Sequence, residues 1–160
     1  MDDLLLVTGD SSSDRYAAHL VTYLQDHGYD GTVYAAAGHR TAEAGAELVE
    51  NVVDYGVVGL TEIVKSLPFF YSLMQDLDRL LEEGSIGGVL LLDFPGFNLR
   101  LAKRAHRKGI PLFYYITPQV WAWGQGRVSN LRDWFEELFV IFPFEEEYLN
   151  ERGATARFVG

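Results

Sequence analysis

The run Gly88-Val89-Leu90-Leu91-Leu92, ended by Asp93, constrains the fold more than any other stretch of this 160-residue chain. An uninterrupted apolar segment of strand length reads as a strand covered on both faces, and such strands belong to parallel sheets. Parallel neighbours need long crossovers, usually helices. The rest of the chain supplies both. Short apolar runs at 4–8, 32–36, 111–116 and 138–141 alternate with helix-periodic segments at 12–27, 41–49, 98–108, 125–134 and 145–151, and 157–159 begins a further strand. Ala17, Leu20, Val21 and Leu24 share one face of the first helix, which Gly28 closes. The stripe Ile63, Leu67, Phe70, Met74, Leu77 and Leu81 predicts helix between 60 and 81. Pro68 interrupts it, so a break is expected near Ser66, with a new helix starting there. The β-α alternation predicts an α/β, Rossmann-like parallel sheet with helices on both faces, in one domain over 1–160.

Hydrophobic residues at 48% and charged residues at 22% support a real core rather than disorder. With no cysteine, disulfides and Cys-based metal sites are excluded. The four histidines, at 19, 27, 39 and 106, show no metal-ligand spacing, and no cofactor is expected. A net charge of −10 argues against nucleic acid as a partner. Met1-Asp2-Asp3 lacks the basic start of a secretory signal, and no run approaches a membrane span. A cytoplasmic protein is expected. A strand signal at the last residues predicts that the natural polypeptide continues beyond Gly160.

In open parallel sheets, ligands bind outside the carboxyl ends of the strands. After the first strand comes Gly9-Asp10-Ser11-Ser12-Ser13-Asp14, which suits either a turn with an N-cap or an anion held at a helix start. After the central strand comes Asp93-Phe94-Pro95-Gly96-Phe97-Asn98. A partly desolvated carboxylate there suits a general base, and it equally suits a turn residue for the next helix. After the strand at 111–116 comes Thr117-Pro118-Gln119-Val120-Trp121-Ala122-Trp123, whose tryptophans suit sugar faces or loop packing. Arg100, Lys103, Arg104, Arg107 and Lys108 share one helix face, as a solvated surface or as a patch for phosphate or anionic lipid. Pro68-Phe69-Phe70-Tyr71 crowds three aromatics that one helix face cannot bury together. The remainder packs on a neighbour, dips into a membrane interface or holds an acyl chain.

Taken together, these segments resemble the lipid-A-disaccharide synthase family of GT-B glycosyltransferases across nearly the whole chain. Pro118-Gln119-Val120-Trp121-Ala122-Trp123 is the most specific piece, and Asp93-Phe94-Pro95-Gly96-Phe97-Asn98 is next. The resemblance implies the N-terminal, acceptor-side half of such an enzyme, with the donor-nucleotide domain expected after Gly160. It implies an inverting transfer from UDP-2,3-diacylglucosamine to 2,3-diacylglucosamine 1-phosphate, in lipid A biosynthesis, that this chain does not complete alone. Asp93 would be the catalytic base. Asp10, Ser12, Asp14, Asn98, Thr117, Trp121 and Trp123 would contact or support substrate. Ile63, Val64, Leu67, Phe70 and Tyr71 match the family's membrane-facing patch, which implies a peripheral seat on the inner membrane. Several positions depart from the family pattern: Asp10 replaces a glutamate, Ser13 a glycine, Gly96 an aspartate, Gln119 a serine and Gly124 an arginine. Those departures leave a second reading, a diverged non-catalytic module that binds a lipid or a partner.

Overall fold

A computed structural model describes residues 2–55, 60–122 and 125–160, with 60–65 and 125 described by backbone alone. The strands are β1 Asp3–Val7, β2 Val33–Ala37, β3 Glu47–Asn51, β4 Ile86–Leu92, β5 Leu112–Tyr115, β6 Glu137–Val140 and β7 Ala156–Phe158. The helices are α1 Ser11–Asp26, α2 His39–Glu43, α3 Leu60–Glu82, α4 Pro95–Arg107, α5 Val128–Trp134 and α6 Pro143–Asn150. All seven strands are parallel, in the order β3-β2-β1-β4-β5-β6-β7. The chain winds outward from β1 to β3, returns through α3, and winds outward again from β4. The order therefore reverses between β1 and β4, and their carboxyl ends flank the switch point where such sheets open a crevice.

The two faces of the sheet separate by strand alternation. Leu5, Val7, Val89, Leu91, Leu112, Tyr114, Leu138 and Val140 form the larger core with Leu73, Met74, Leu77 and Leu81 of α3 and Leu101, Ala102 and Ala105 of α4. Leu6, Ala35, Ala37 and Leu92 pack on the other face against Ala17 and Val21 of α1. Helices thus cover both faces, as the β-α alternation predicts.

Two expectations fail. The segment at 41–49 is not one helix. Helix α2 ends at Glu43, Gly45 takes a left-handed φ of 104°, and Glu47–Asn51 pairs with β2 as an edge strand. Its half-exposed, Glu-rich pattern blurs the alternation that marks a strand. Nor does the chain break near Ser66, because α3 runs unbroken through Pro68. The proline ring forfeits one rung of the ladder and clashes with the preceding turn, at about 3 kcal/mol. Burial of Leu73, Met74, Leu77 and Leu81 offsets that cost. Two smaller shifts concern the rim: β4 begins at Ile86 rather than Gly88, and α4 begins at Pro95, with proline at its first turn, rather than at Asn98.

One buried carboxylate ties the two halves of the first β-α-β unit together. Asp14, 3% exposed, accepts from the Gly38 N–H at 2.8 Å, the Arg40 N–H at 3.3 Å, the Thr41 N–H at 3.3 Å and the Thr41 hydroxyl at 2.6 Å. Glycine is required at 38, since a Cβ there would stand 2.6 Å from the carboxylate. Asp14 thereby holds the start of α1 against the start of α2. Asp14→Ala should cost roughly 3 kcal/mol in urea unfolding, because it strands buried N–H donors. Asp14→Asn, which keeps one carbonyl acceptor, should cost less.

Candidate active site

The carboxyl ends of β1 and β4 lie side by side, with Val7 opposite Leu91. The loop leaving β1 and the turn leaving β4 meet at the rim. After β1, Gly9 lies under the side chain of Phe94, and a Cβ at position 9 would fall within 2.4 Å of it. After β4 the backbone turns sharply. Asp93 and Phe94 both adopt left-handed φ values, 47° and 49°, and Ile116 beyond neighbouring β5 has φ 58°. Such conformations cost of order 1–3 kcal/mol each and persist only when the surroundings over-determine them.

The surroundings here do so. The Asp93 N–H donates to the Tyr115 carbonyl at 3.0 Å. Its carbonyl accepts twice, from the Tyr114 hydroxyl at 2.6 Å and from the Asn98 amide at 2.8 Å. Asn98 also donates to the Leu92 carbonyl at 3.2 Å, and its own N–H donates to the Phe94 carbonyl. The Ile116 N–H donates to the Phe139 carbonyl at 3.1 Å. Burial, with the Asp93 carboxylate adding to it, pushes the Tyr114 hydroxyl far above its ordinary range, and a bond with Asn98 opposes the shift. Tyr114 is therefore a permanent donor.

With its backbone fixed on three sides, Asp93 presents a half-buried carboxylate at the switch point. Burial raises its pKa above the ordinary carboxylate value; the Phe94 N–H pulls the other way, and the negative Asp10 adds to the rise. Asp10 is exposed beside it as the N-cap of α1, accepting from the Ser13 N–H at 2.7 Å and the Ser13 hydroxyl at 2.8 Å. Ser12 is exposed in the first turn of the same helix.

Two of the residues expected to contact or support substrate are buried and brace the surrounding backbone. Asp14 spends its carboxylate on the α2 start. Asn98 has no exposed surface and spends its amide on the Asp93 turn. A short polar side chain after a strand looks alike in sequence whether it faces a ligand or its own backbone. Thr117 is buried behind β5, and its hydroxyl has no hydrogen-bond partner among the described residues. Trp121 is 37% exposed, with its indole N–H donating to Glu145 at 2.9 Å and its ring perpendicular to that of Phe144, 5.0 Å between centroids. Trp123 lies outside the described residues.

Sequence reasoning missed Tyr114 and Glu145. A tyrosine inside a buried strand needs a partner for its hydroxyl, and that was the available signal for Tyr114. Glu145, 3% exposed, receives Trp121 and the Phe142 N–H at 3.3 Å. Its place two residues after Pro143 marks a helix start, where a glutamate reaches back to cap.

Of the membrane-facing set, Leu67 is 56% and Tyr71 69% exposed, while Phe70 is half-buried against Phe94 at 5.4 Å and Phe97 at 5.8 Å. The side chains of Ile63 and Val64 lie outside the described residues. Among the described residues, no group of three His, Cys, Asp or Glu is arranged to hold a metal ion. No helix among them is long and apolar enough to cross a membrane.

Residues 4–160 match the family model for lipid-A-disaccharide synthetase. The chain is 36% identical to the lipid-A-disaccharide synthase of Myxococcus xanthus over 157 residues, covering 98% of this chain and 41% of that protein. It is 38% identical to the synthase of Anaeromyxobacter sp. strain K, covering 99% and 42%, and 38% identical to lipid-A-disaccharide synthase 1 of Legionella pneumophila strain Philadelphia 1, covering 98% and 41%. The chain thus spans about two fifths of the length of these relatives. A solved UDP-GlcNAc 2-epimerase from Neisseria meningitidis, bound to UDP-GlcNAc, superposes with TM-score 0.66 at 15% identity, over 99% of this chain and 46% of that one. That is a likeness of fold: the Rossmann-like, GT-B-type α/β domain expected from the sequence. By its family match and its relatives, the chain belongs to the lipid-A-disaccharide synthetase family.

Proposed function

We propose that this domain is the acceptor-binding half of a glycosyltransferase of lipid A biosynthesis, with 2,3-diacylglucosamine 1-phosphate as acceptor and Asp93 as catalytic base. One observation carries the reading: a half-buried carboxylate of raised basicity stands at the switch point of the sheet, on a turn the fold goes to some cost to hold. In the proposed step the acceptor hydroxyl oxygen attacks the anomeric carbon of a UDP-linked 2,3-diacylglucosamine. The bond from that carbon to the pyrophosphate oxygen breaks, and its electron pair leaves with UDP. The hydroxyl proton passes to Asp93, and the anomeric configuration inverts. A second domain, beyond these 160 residues, brings the nucleotide. Asp10 and Ser12, exposed on the same rim, are proposed acceptor contacts. Trp121, partly exposed, is a proposed stacking contact, and Thr117 and Trp123 are proposed to line the site from the loop after β5. The exposed Leu67 and Tyr71 of α3 support a peripheral seat on the inner membrane, proposed on its cytoplasmic side. Tyr114 and Asn98 are positioning residues that aim Asp93 through its backbone.

Asp93→Asn keeps the side chain's shape and removes the base. Assayed with the donor-binding domain present, it should lose about 100-fold or more in rate. Retention of full activity would remove Asp93 from the chemistry.

The raised pKa has two consequences with defined sign. The base works only when ionised, so the acidic limb of the rate profile should have its midpoint above the ordinary carboxylate range. For stability, the folded state holds this proton more tightly than the unfolded state. Between the ordinary and the raised pKa, stability therefore falls as pH rises, and the penalty is complete above the raised value. Asp93→Asn removes it, so thermal melts should show the variant stabilised relative to the parent at neutral pH, with the gain vanishing in acid.

Tyr114→Phe removes one of the two donors to the Asp93 carbonyl. It should lower stability by about 1 kcal/mol and reduce kcat with little change in the acceptor KM. An equal change in KM alone would make Tyr114 a binding residue instead.

A further inference from the structure

The loop that leaves β5 stands on a strained residue. Ile116, β-branched, holds a φ of 58°, a conformation that persists only where the surroundings fix it. The loop starts beside the proposed base, because the Tyr115 carbonyl receives the Asp93 N–H. Its own backbone bonds run within itself: the Val120 N–H donates to the Pro118 carbonyl at 2.7 Å and the Ala122 N–H to the Gln119 carbonyl at 3.1 Å. The buried Thr117 hydroxyl has no partner among the described residues. Val120 anchors the loop in the core. Among the described residues, the loop's polar tie to the rest of the domain is the Trp121 indole N–H, which donates to Glu145 at 2.9 Å.

Glu145 is an unusual partner for that N–H. Its carboxylate is buried, and no cation pairs with it among the described residues. A buried carboxylate without a counter-ion is costly and lasts only where hydrogen bonds replace water. One oxygen accepts the Phe142 N–H at 3.3 Å, in the first turn of α6, where the helix dipole favours negative charge. The other oxygen takes Trp121, and an ionised acceptor makes a bond roughly twice as strong as a neutral one. The ring so held is not itself buried. Trp121 is partly exposed, with Phe144 perpendicular to it and Phe142 stacked on Phe144 at 5.8 Å, both also exposed. A buried charge thus immobilises an exposed ring 24 residues away in sequence. Core packing gives no reason for that arrangement, whereas a ring that must be ready for a ligand does.

We propose that Glu145 is a positioning residue: its buried carboxylate latches the loop after β5 through the Trp121 indole and holds that ring ready at the rim for the acceptor sugar. This rests on the acceptor reading above and assigns the group that prepares its stacking contact. A ring already immobilised spares the ligand the cost of ordering it, a factor of roughly three to ten in affinity. Glu145 itself touches no substrate. Its influence passes through Trp121.

Two readouts separate the latch from its use. In proton–nitrogen NMR spectra the Trp121 indole signal, identified by its loss in Trp121→Phe, should exchange slowly with solvent. Glu145→Gln keeps an oxygen at the position but not its charge, so it should move that signal upfield and speed its exchange, with the Trp134 signal unmoved. Calorimetric titration of this chain with 2,3-diacetylglucosamine 1-phosphate should show Glu145→Gln roughly three- to tenfold weaker than the parent, and Trp121→Phe weaker as well. In the Trp121→Phe background, Glu145→Gln should add no further loss, because the bond it weakens is already gone. An indole signal unmoved in Glu145→Gln would overturn the latch. Parent-like affinity of either single variant, or equal losses from Glu145→Gln in both backgrounds, would overturn the positioning role and leave the acceptor reading intact. A parent that does not bind the probe overturns the acceptor reading and this role together. If Glu145→Gln does not fold, Trp121→Phe, at a partly exposed position, decides alone: lost affinity supports the role and parent-like affinity refutes it.

Discussion

The carbonyl of Asp93 is the point on which the rest of the site hangs. It accepts from a tyrosine hydroxyl on β5 and an asparagine amide on α4, and these bonds hold a left-handed kink that no local preference of Asp-Phe-Pro would choose. An ordinary exit from β4 would carry the strand direction onward. The kink lets α4 start at once on Pro95, brings Phe94 down onto Gly9, and leaves the Asp93 carboxylate at the rim. The donors are dependable because both are buried. Tyr114 cannot ionise under ordinary conditions, and Asn98 has no access to competing water.

The kink matters because of where the sheet puts it. The strand order reverses between β1 and β4, so the loop after β1 and the turn after β4 face each other with no crossover between them. Asp10 and Asp93 come from segments more than eighty residues apart in sequence, yet the Asp10 charge adds to the rise in the Asp93 pKa. A carboxylate kept partly from water, near a second one, becomes a better base than its chemistry alone provides. The same rim leads through the Phe94, Phe70 and Phe97 rings to a trough between α3 and α4. A polar rim and an apolar cleft are thus adjacent.

The misreadings share a cause. Glu47–Asn51 carries its glutamates on a half-exposed edge, where period-two alternation fades and helical spacing can be read into what remains. At Pro68 local preference said break, and the buried stripe further along α3 outweighed it. Asp14 and Asn98 brace neighbouring backbone, a role that spacing along the chain leaves open beside contact with a ligand. A side chain that accepts or donates several hydrogen bonds serves a neighbouring backbone as readily as a ligand, and spacing along the chain does not distinguish the two.

Periodicity and apolar runs alone determined the class of fold, the parallel sheet, most helix positions and the place of Asp93 at the end of the central strand. Those features depend on local patterning, which a chain carries in its linear order. Tertiary structure alone decided which polar residues brace the backbone, that the buried Tyr114 and Glu145 are among them, and that the cations of α4 border an apolar trough. Each of these is a contact between segments far apart in sequence, made only when the sheet has brought its strands into order.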